Sequence, residues 1–169
     1  EPIAAAFDYE QRITRDAVVL VADIGGGTSD FTVVRLGPDR AQQAADRTQD
    51  ILATRGVHVG GTDFDQKLSL EHAMPLLGFR HVGPGQREVP SAVFFDLATW
   101  HLIHWRYVPR ALREAQALRV NYTDLNLHRR LMTVLDERLG HHLANDVEHA
   151  KISTSQTGGA AVLGLSYIQ

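Results

Sequence analysis

The residues with most to offer chemically are Asp23-Ile24-Gly25-Gly26-Gly27-Thr28-Ser29-Asp30, a glycine triplet framed by two carboxylates. Glycine has no Cβ and reaches positive φ without steric penalty, so a triplet can aim consecutive N–H groups outward and let a phosphate approach the main chain. Thr28 adds a hydroxyl at the edge of that cradle. Asp23 can hold a magnesium ion through the waters that Mg²⁺ gives up reluctantly, and Asp30 is a second carboxylate close by. An ordinary hairpin would use the glycines for geometry alone; a carboxylate just before the triplet and Thr-x-Asp just after it favour the phosphate reading. A second pair, Gly60-Gly61, leads into Thr62-Asp63-Phe64-Asp65. A helix starting there would turn unpaired N–H groups and the positive end of its dipole toward an anion. Taken alone, that pair reads more simply as a loop-to-helix junction.

These groups need elements to hold them. Val18-Val19-Leu20-Val21-Ala22 is a continuous apolar run, as expected of a strand buried on both faces. Thr28 and Phe31 to Leu36 make a second strand, which places the glycines in the turn of a hairpin. Gly37-Pro38-Asp39 closes it, and Ile51 to Val59 supplies a third antiparallel strand. Residues 1–16 read as the tail of a helix. Thr62, with Asp65 three residues on, suits a capping box for a helix that Pro75 and Gly78 end or bend. Residues 78–92, rich in Gly and Pro, read as a surface excursion, and Val93 to Trp105 is apolar and aromatic. Pro109 fits the first position of a helix running to about Arg119. Thr123 or Asp124 caps a long helix whose apolar positions Leu127, Leu131, Leu135, Leu139, Leu143, Val147 and Ala150 fall nearly four apart, with Gly140 as the point where it would bend. Gly158-Gly159 ends it, and Ala161 to Ile168 reads as a terminal strand.

Composition excludes several classes of function. The 169 residues carry a net charge of −3 and 44% hydrophobic residues, enough for a packed core, and no compact basic block to favour nucleic acid or an anionic membrane. There is no cysteine, so disulfides and thiolate metal sites are out. No apolar run approaches the roughly 20 residues of a membrane span, and Glu1-Pro2-Ile3-Ala4-Ala5-Ala6 lacks the basic start of a signal peptide. A cytoplasmic location and a start inside a longer protein are the expectations.

Three segments in order resemble the DnaK-type heat-shock chaperones of the actin-like ATPase superfamily: Glu1-Pro2 with Ala4-Ala5-Ala6, Asp23 to Asp30, and Gly60 to Asp65. A fourth, Glu148-His149-Ala150-Lys151 before Ser153-Thr154-Ser155, extends the match, which covers roughly residues 1–75 and 140–169 and leaves the middle unmatched. The long stretch between Asp65 and Glu148, with Met74-Pro75-Leu76-Leu77-Gly78 at its start, is similar to the divergent YegD-like branch. The resemblance implies an α/β fold: part of subdomain IIA (residues 1–59, the phosphate-binding hairpin and third strand) joined to a helix-rich subdomain IIB (60–169) with a small sheet and an insertion at about 78–122. It implies ATP or ADP with Mg²⁺ as ligands. Gly25, Gly26, Gly27, Thr28, Gly60 and Gly61 would lie at the phosphates. Asp23 and Glu1 would stand around the hydrated magnesium and Asp30 near the attacking water, making Asp23 and Asp30 the catalytic carboxylates. Glu148, Lys151 and Ser155 would touch adenosine, with Ile152 where the family has an arginine that stacks on adenine.

The first phosphate loop, the catalytic lysine, the second adenosine motif and the peptide-binding domain of that family are absent from the sequence. Little or no hydrolysis is therefore expected of the chain, and slow ATP hydrolysis of the parent, whose partners would be cochaperones, an exchange factor and unfolded polypeptide. An MreB-like filament ATPase and a superfamily small-molecule kinase or exopolyphosphatase are the alternatives. His101 with His104, and His141-His142, lack the companions of a zinc site and read as solvated or partly buried imidazoles. Trp100 and Trp105 read as packing residues, and the Arg-rich face of 110–130 as solvated helix surface.

Overall fold

The computed structural model describes residues 2–41 and 47–168 and is α/β, with one three-stranded antiparallel sheet and several helices. It divides into two compact units, Glu1–Asp63 and Phe64–Gln169.

In the first unit, α1 (Pro2–Glu10) starts on a proline, whose fixed φ suits the first helical turn, and continues through three alanines, the best helix formers. The strands β1 (Ala17–Ile24) and β2 (Ser29–Leu36) form the expected hairpin, and β3 (Ile51–Val57) pairs with β2, giving the order β1-β2-β3. Val33 pairs with Ala53 but Val34 with Ile51, so Leu52 is an extra residue that bulges β3. Val34, Leu36 and Ala6 are the buried centre of a small core that Phe7, Ile13, Val19 and Val21 complete. One expectation fails here. Residues along β1 alternate between half-buried and exposed, and Val18, Leu20 and Ile24 are 63%, 62% and 67% exposed. The apolar run is continuous, yet α1 covers only one side of it.

A charged cluster fastens the end of α1 to the segment after β2. Glu10 is 3% exposed. It accepts a hydrogen bond from the Gly37 amide (2.8 Å) and a two-pronged contact from the Arg47 guanidinium, which also bonds Asp50 at 2.9 Å. Arg40, at the end of the short α2 (Pro38–Ala41), bonds the other Asp50 oxygen at 2.5 Å. An acidic side chain at a helix C-terminus opposes the dipole; the guanidinium, which also lies 4.5 Å over the Phe7 ring, compensates. Hydrogen bonding from Arg47 holds both carboxyls below their ordinary range, against the opposing effect of burial.

The second unit is helical. After α3 (Gly61–Leu68) the chain widens into a π turn at Ser69–Ala73 and tightens into a 3₁₀ turn at Met74–Leu77, then stops at Gly78, whose φ of 106° only glycine adopts readily. A Cβ there would also lie 2.2 Å from the Tyr122 ring. Residues 78–92 are more than surface: Val82 bridges Glu88, while Phe79 and Val89 enter the core. The aromatic stretch is α4 (Ala92–Leu97) followed by a 3₁₀ segment, Trp100–Tyr107. Phe94, Leu97 and Ile103 are buried, but Trp100 and Trp105 are 56% and 61% exposed and lie outside the core. α5 (Pro109–Ala117) begins at its proline, and Asp124 caps α6 (Leu125–Asp136) by accepting from the Asn126 amide at 2.9 Å.

Two expectations are corrected in this unit. The long helix is two helices, α6 and α7 (Gly140–Thr157), broken at residues 137–139, where Arg138 has φ 56°. A four-residue spacing overshoots the 3.6-residue turn by about 40° per step, so the apolar stripe winds round the axis and a straight helix would carry one end of it away from the core. The residues from Ala161 to Ile168 form no strand, and the small sheet expected of this part is not found among the described residues. Among the described residues no strand lies beside them to pair with their amides; Leu163, Leu165, Tyr167 and Ile168 pack on the helical core instead. Among the described residues, no helix is long and apolar enough to cross a membrane.

Candidate functional site

The bend at Gly25–Thr28 is exposed throughout, and its flanks pair as adjacent antiparallel strands. One hydrogen bond closes it, from the Gly25 amide to the Thr28 carbonyl at 2.8 Å, and the amides of Gly26, Gly27 and Thr28 have no partner among the described residues. Three consecutive N–H groups are thus left without a protein partner at an exposed bend. Contrary to expectation, none of the three glycines has positive φ. Nor does crowding exclude a side chain at two of them: a Cβ on Gly26 would meet nothing nearer than 3.9 Å, and one on Gly27 nothing within 4 Å. What the glycines provide is uncovered main chain.

Asp23 and Asp30 are partners in the β1–β2 register, one residue pair from the bend. Side chains so paired project from the same face with Cβ atoms about 4.5–5.5 Å apart. The next position in the row is Gly56, opposite Asp30 on β3. A Cβ at Gly56 would lie 2.5 Å from Asp30 Oδ1, so the missing side chain is the space the carboxylate occupies. Gly56 went unread in the sequence, although a glycine inside a strand is the usual sign of such close approach. Like charges on facing positions repel, and the Asp30 carboxylate leans over Gly56 on the side away from Asp23; an oxygen-only donor set of this kind suits a magnesium ion reached through its waters. Glu1, the other expected magnesium residue, lies outside the described residues.

The second glycine segment meets the first. Gly61 donates its amide to the Gly25 carbonyl (3.0 Å), and Thr62 donates both its amide (2.8 Å) and its hydroxyl (2.7 Å) to the Gly26 carbonyl. Gly60 is pressed against the same peptide: a Cβ there would lie 2.5 Å from the Gly26 carbonyl carbon and oxygen and 2.6 Å from the Gly27 nitrogen. Two sequence expectations change accordingly. The amides of Gly60 and Gly61 are engaged, because the first turn of α3 is spent on the hairpin bend and on its own cap. That cap also falls earlier in the chain than expected. Asp63 reaches back to the Gly60 amide at 2.7 Å and its own amide bonds the Gly60 carbonyl at 3.2 Å, while Asp65 takes no part.

Asp65 instead binds Lys151 of α7, whose ammonium lies 2.8 Å from each of its carboxylate oxygens. Both side chains are mostly buried, at 25% and 22% exposure, which strengthens the attraction while raising the desolvation cost of either alone. Lys151 and Ser155, one turn apart, line a cleft of about 670 Å³ between α3 and α7, with Phe64, Lys67, Leu68 and Ile152 among its other walls. Glu148 is exposed and is not one of them. The cleft walls are largely apolar, with Lys67 and Glu71 of opposite charge on the same lining and the Lys151 charge paired with Asp65, a setting that can take a flat, uncharged ring.

Elsewhere some of the histidines meet aromatic rings: His141 meets Trp100 edge-on at 4.9 Å, His142 meets Tyr167 at 4.6 Å and His104 meets Trp105 at 4.6 Å. The Tyr167 hydroxyl donates to Asp146 at 2.6 Å, and burial together with that carboxylate pushes the hydroxyl pKa up. Arg113, Arg119 and Arg129 are exposed, and Arg110 pairs with Glu114 along α5. Among the described residues no three or more histidine or acidic side chains gather as a metal site. The chemistry of the hairpin end and of the α3–α7 cleft stands on its own geometry, since no protein-family model matches the chain.

Proposed function

We propose that this chain is the phosphate-gripping portion of a nucleotide-binding domain of the DnaK chaperone type, within the actin-like ATPase superfamily. The observation that carries the reading is the exposed run of unpaired amides at Gly26, Gly27 and Thr28, set beside the opposed carboxylates of Asp23 and Asp30. Amides in that number suit the oxygens of a β- or γ-phosphate, and the carboxylates suit a magnesium ion held through its waters. Asp30 would orient the water that attacks the γ-phosphate, which is catalysis by positioning and electrostatics. Lys151 and Ser155 in the α3–α7 cleft would hold the adenosine. Gly60 and Gly61 act at one remove, holding the bend without offering their own amides.

In the full-length parent, a cytoplasmic chaperone, ATP would close the lobes as a hinge and so change the state of a peptide-binding domain, with cochaperones and an exchange factor setting the cycle. The chain alone would bind nucleotide without turning it over, because the groups of the opposite lobe are missing from its sequence and positioning needs both sides. Calorimetry with Mg-ATP, run beside a phosphate-release assay, tests this. Binding that weakens when magnesium is chelated, or when Asp23 is changed to Asn, with no release above background, is the expected result. Hydrolysis by the chain alone, or binding indifferent to both changes, would contradict the reading.

A further inference from the structure

We infer that Thr62 is a positioning residue for anion binding, acting through the Gly26–Gly27 peptide; the inference rests on the phosphate reading above. A trans peptide is planar, and its C=O and N–H point in opposite directions. All peptide bonds of the described chain are trans. The Gly26 carbonyl is drawn toward α3 by two donors of one residue, the Thr62 amide at 2.8 Å and the Thr62 hydroxyl at 2.7 Å. The Gly27 N–H, in the same plane, is thereby aimed away from α3 into the open side of the bend. The Gly25 carbonyl, held by the Gly61 amide at 3.0 Å, fixes the Gly26 N–H in the same way. Gly60 lies so close to the Gly26–Gly27 peptide that there is no room for a Cβ between them.

The first turn of α3 therefore does not receive the anion; it presets the direction of the amides that do. Pre-orientation of this kind raises affinity because the ligand need not order the donors it binds. The three glycines, free of side chains and without positive φ, would otherwise be the most rotationally permissive part of the hairpin.

The experiment tracks the Gly26 and Gly27 amides in ¹H–¹⁵N spectra of the full chain during titration with magnesium tripolyphosphate. Thr62→Val removes the hydroxyl donor, keeps the backbone donor and the side-chain shape, and changes an exposed position. Affinity should fall by up to about fivefold, the equivalent of one net hydrogen bond, with melting temperature lowered by no more than a few degrees and the resonances away from the bend unchanged. Thr62→Ser, which restores the hydroxyl, should return affinity to within about twofold of wild type, and Thr62→Ala gives a second measure of the loss. A Val variant that binds as tightly as wild type, while Gly26 and Gly27 still respond, overturns the positioning role and leaves the phosphate reading standing. A wild-type chain whose Gly26 and Gly27 amides ignore tripolyphosphate takes down both.

Discussion

Replacing Gly60 and Gly27 each with alanine separates two reasons for a glycine. At Gly60 the added Cβ would sit 2.5 Å from the Gly26 carbonyl carbon and oxygen and 2.6 Å from the Gly27 nitrogen. These are backbone atoms in a hydrogen-bonded bend, so no side-chain rotation relieves the overlap; either the bend or α3's first turn must move. Overpacking of this order costs about 1–3 kcal/mol. At Gly27 the Cβ meets nothing within 4 Å and φ is not positive. Alanine there should be neutral or gain about 0.4–1 kcal/mol through a less disordered unfolded chain. For a unit the size of residues 1–63, each kcal/mol corresponds to roughly 4–8 °C in melting temperature. Differential scanning calorimetry should therefore place Gly60→Ala several degrees below wild type and Gly27→Ala at or slightly above it. Phosphate binding should rank the other way for the second variant, since a methyl group at Gly27 stands over the amide face. A Gly60→Ala protein as stable as wild type would refute the packing argument. A Gly27→Ala protein destabilised by more than about 1 kcal/mol would refute the claim that its glycine answers to something other than the fold.

Two further tests concern the first unit. Glu10 and Asp50 have folded pKa values below their unfolded ones, chiefly through hydrogen bonds from Arg47. Their stabilisation is complete above the ordinary carboxylate range and is lost as pH falls through the lowered values, so acid unfolding of this unit should set in below about pH 4.5. Arg47→Met leaves the buried Glu10 carboxylate uncompensated and should cost about 3–5 kcal/mol at neutral pH, with part of the loss recovered on acidification; urea melts against pH measure it, and a pH-independent loss would count against the pairing. On the sheet, Leu20→Thr changes a residue 62% exposed and Val34→Thr one fully buried. The first should move stability by no more than about 0.5 kcal/mol and the second by about 1–3 kcal/mol, and equal losses would mean that both faces of β1–β2 are covered.

Much of the hairpin could be read from residues because its signals are local. A β-branched run, a glycine bend and a second run mark strand, turn and strand, and the run from Ile51 to Val59 after a polar link marks the third. Pro109 and Asp124 likewise mark the starts of α5 and α6 by chemistry that acts within one turn. The features that could not be read depend on partners distant in sequence. Nothing in Gly60-Gly61-Thr62 says that its donors are committed to carbonyls 36 residues earlier, and Gly56 looks like a weak point in a strand until Asp30 is placed beside it. Ala161 to Ile168 has strand propensity but no neighbouring strand, and propensity yields to packing when the ladder is missing.

The break between α6 and α7 has the same origin and also decides what α7 can present. Gly140 admits Ile103 and Tyr107 to the helix start: a Cβ would lie 2.6 Å from the Ile103 methyl and 2.7 Å from the Tyr107 hydroxyl, which itself accepts the Gly140 amide at 2.9 Å. The start of α7 is thus fixed by core contacts, with Leu143 and Val147 buried on the same side. Lys151 and Ser155 then fall on the stretch beyond Val147 where no fully buried residue remains in the helix. A single straight helix from Asp124 would have assigned that stretch by continuing the leucine stripe, with Ala150 as its last core position. The restart at Gly140 resets the helix phase, so the direction of the candidate adenosine face is set by a glycine several turns upstream rather than by the residues that compose it.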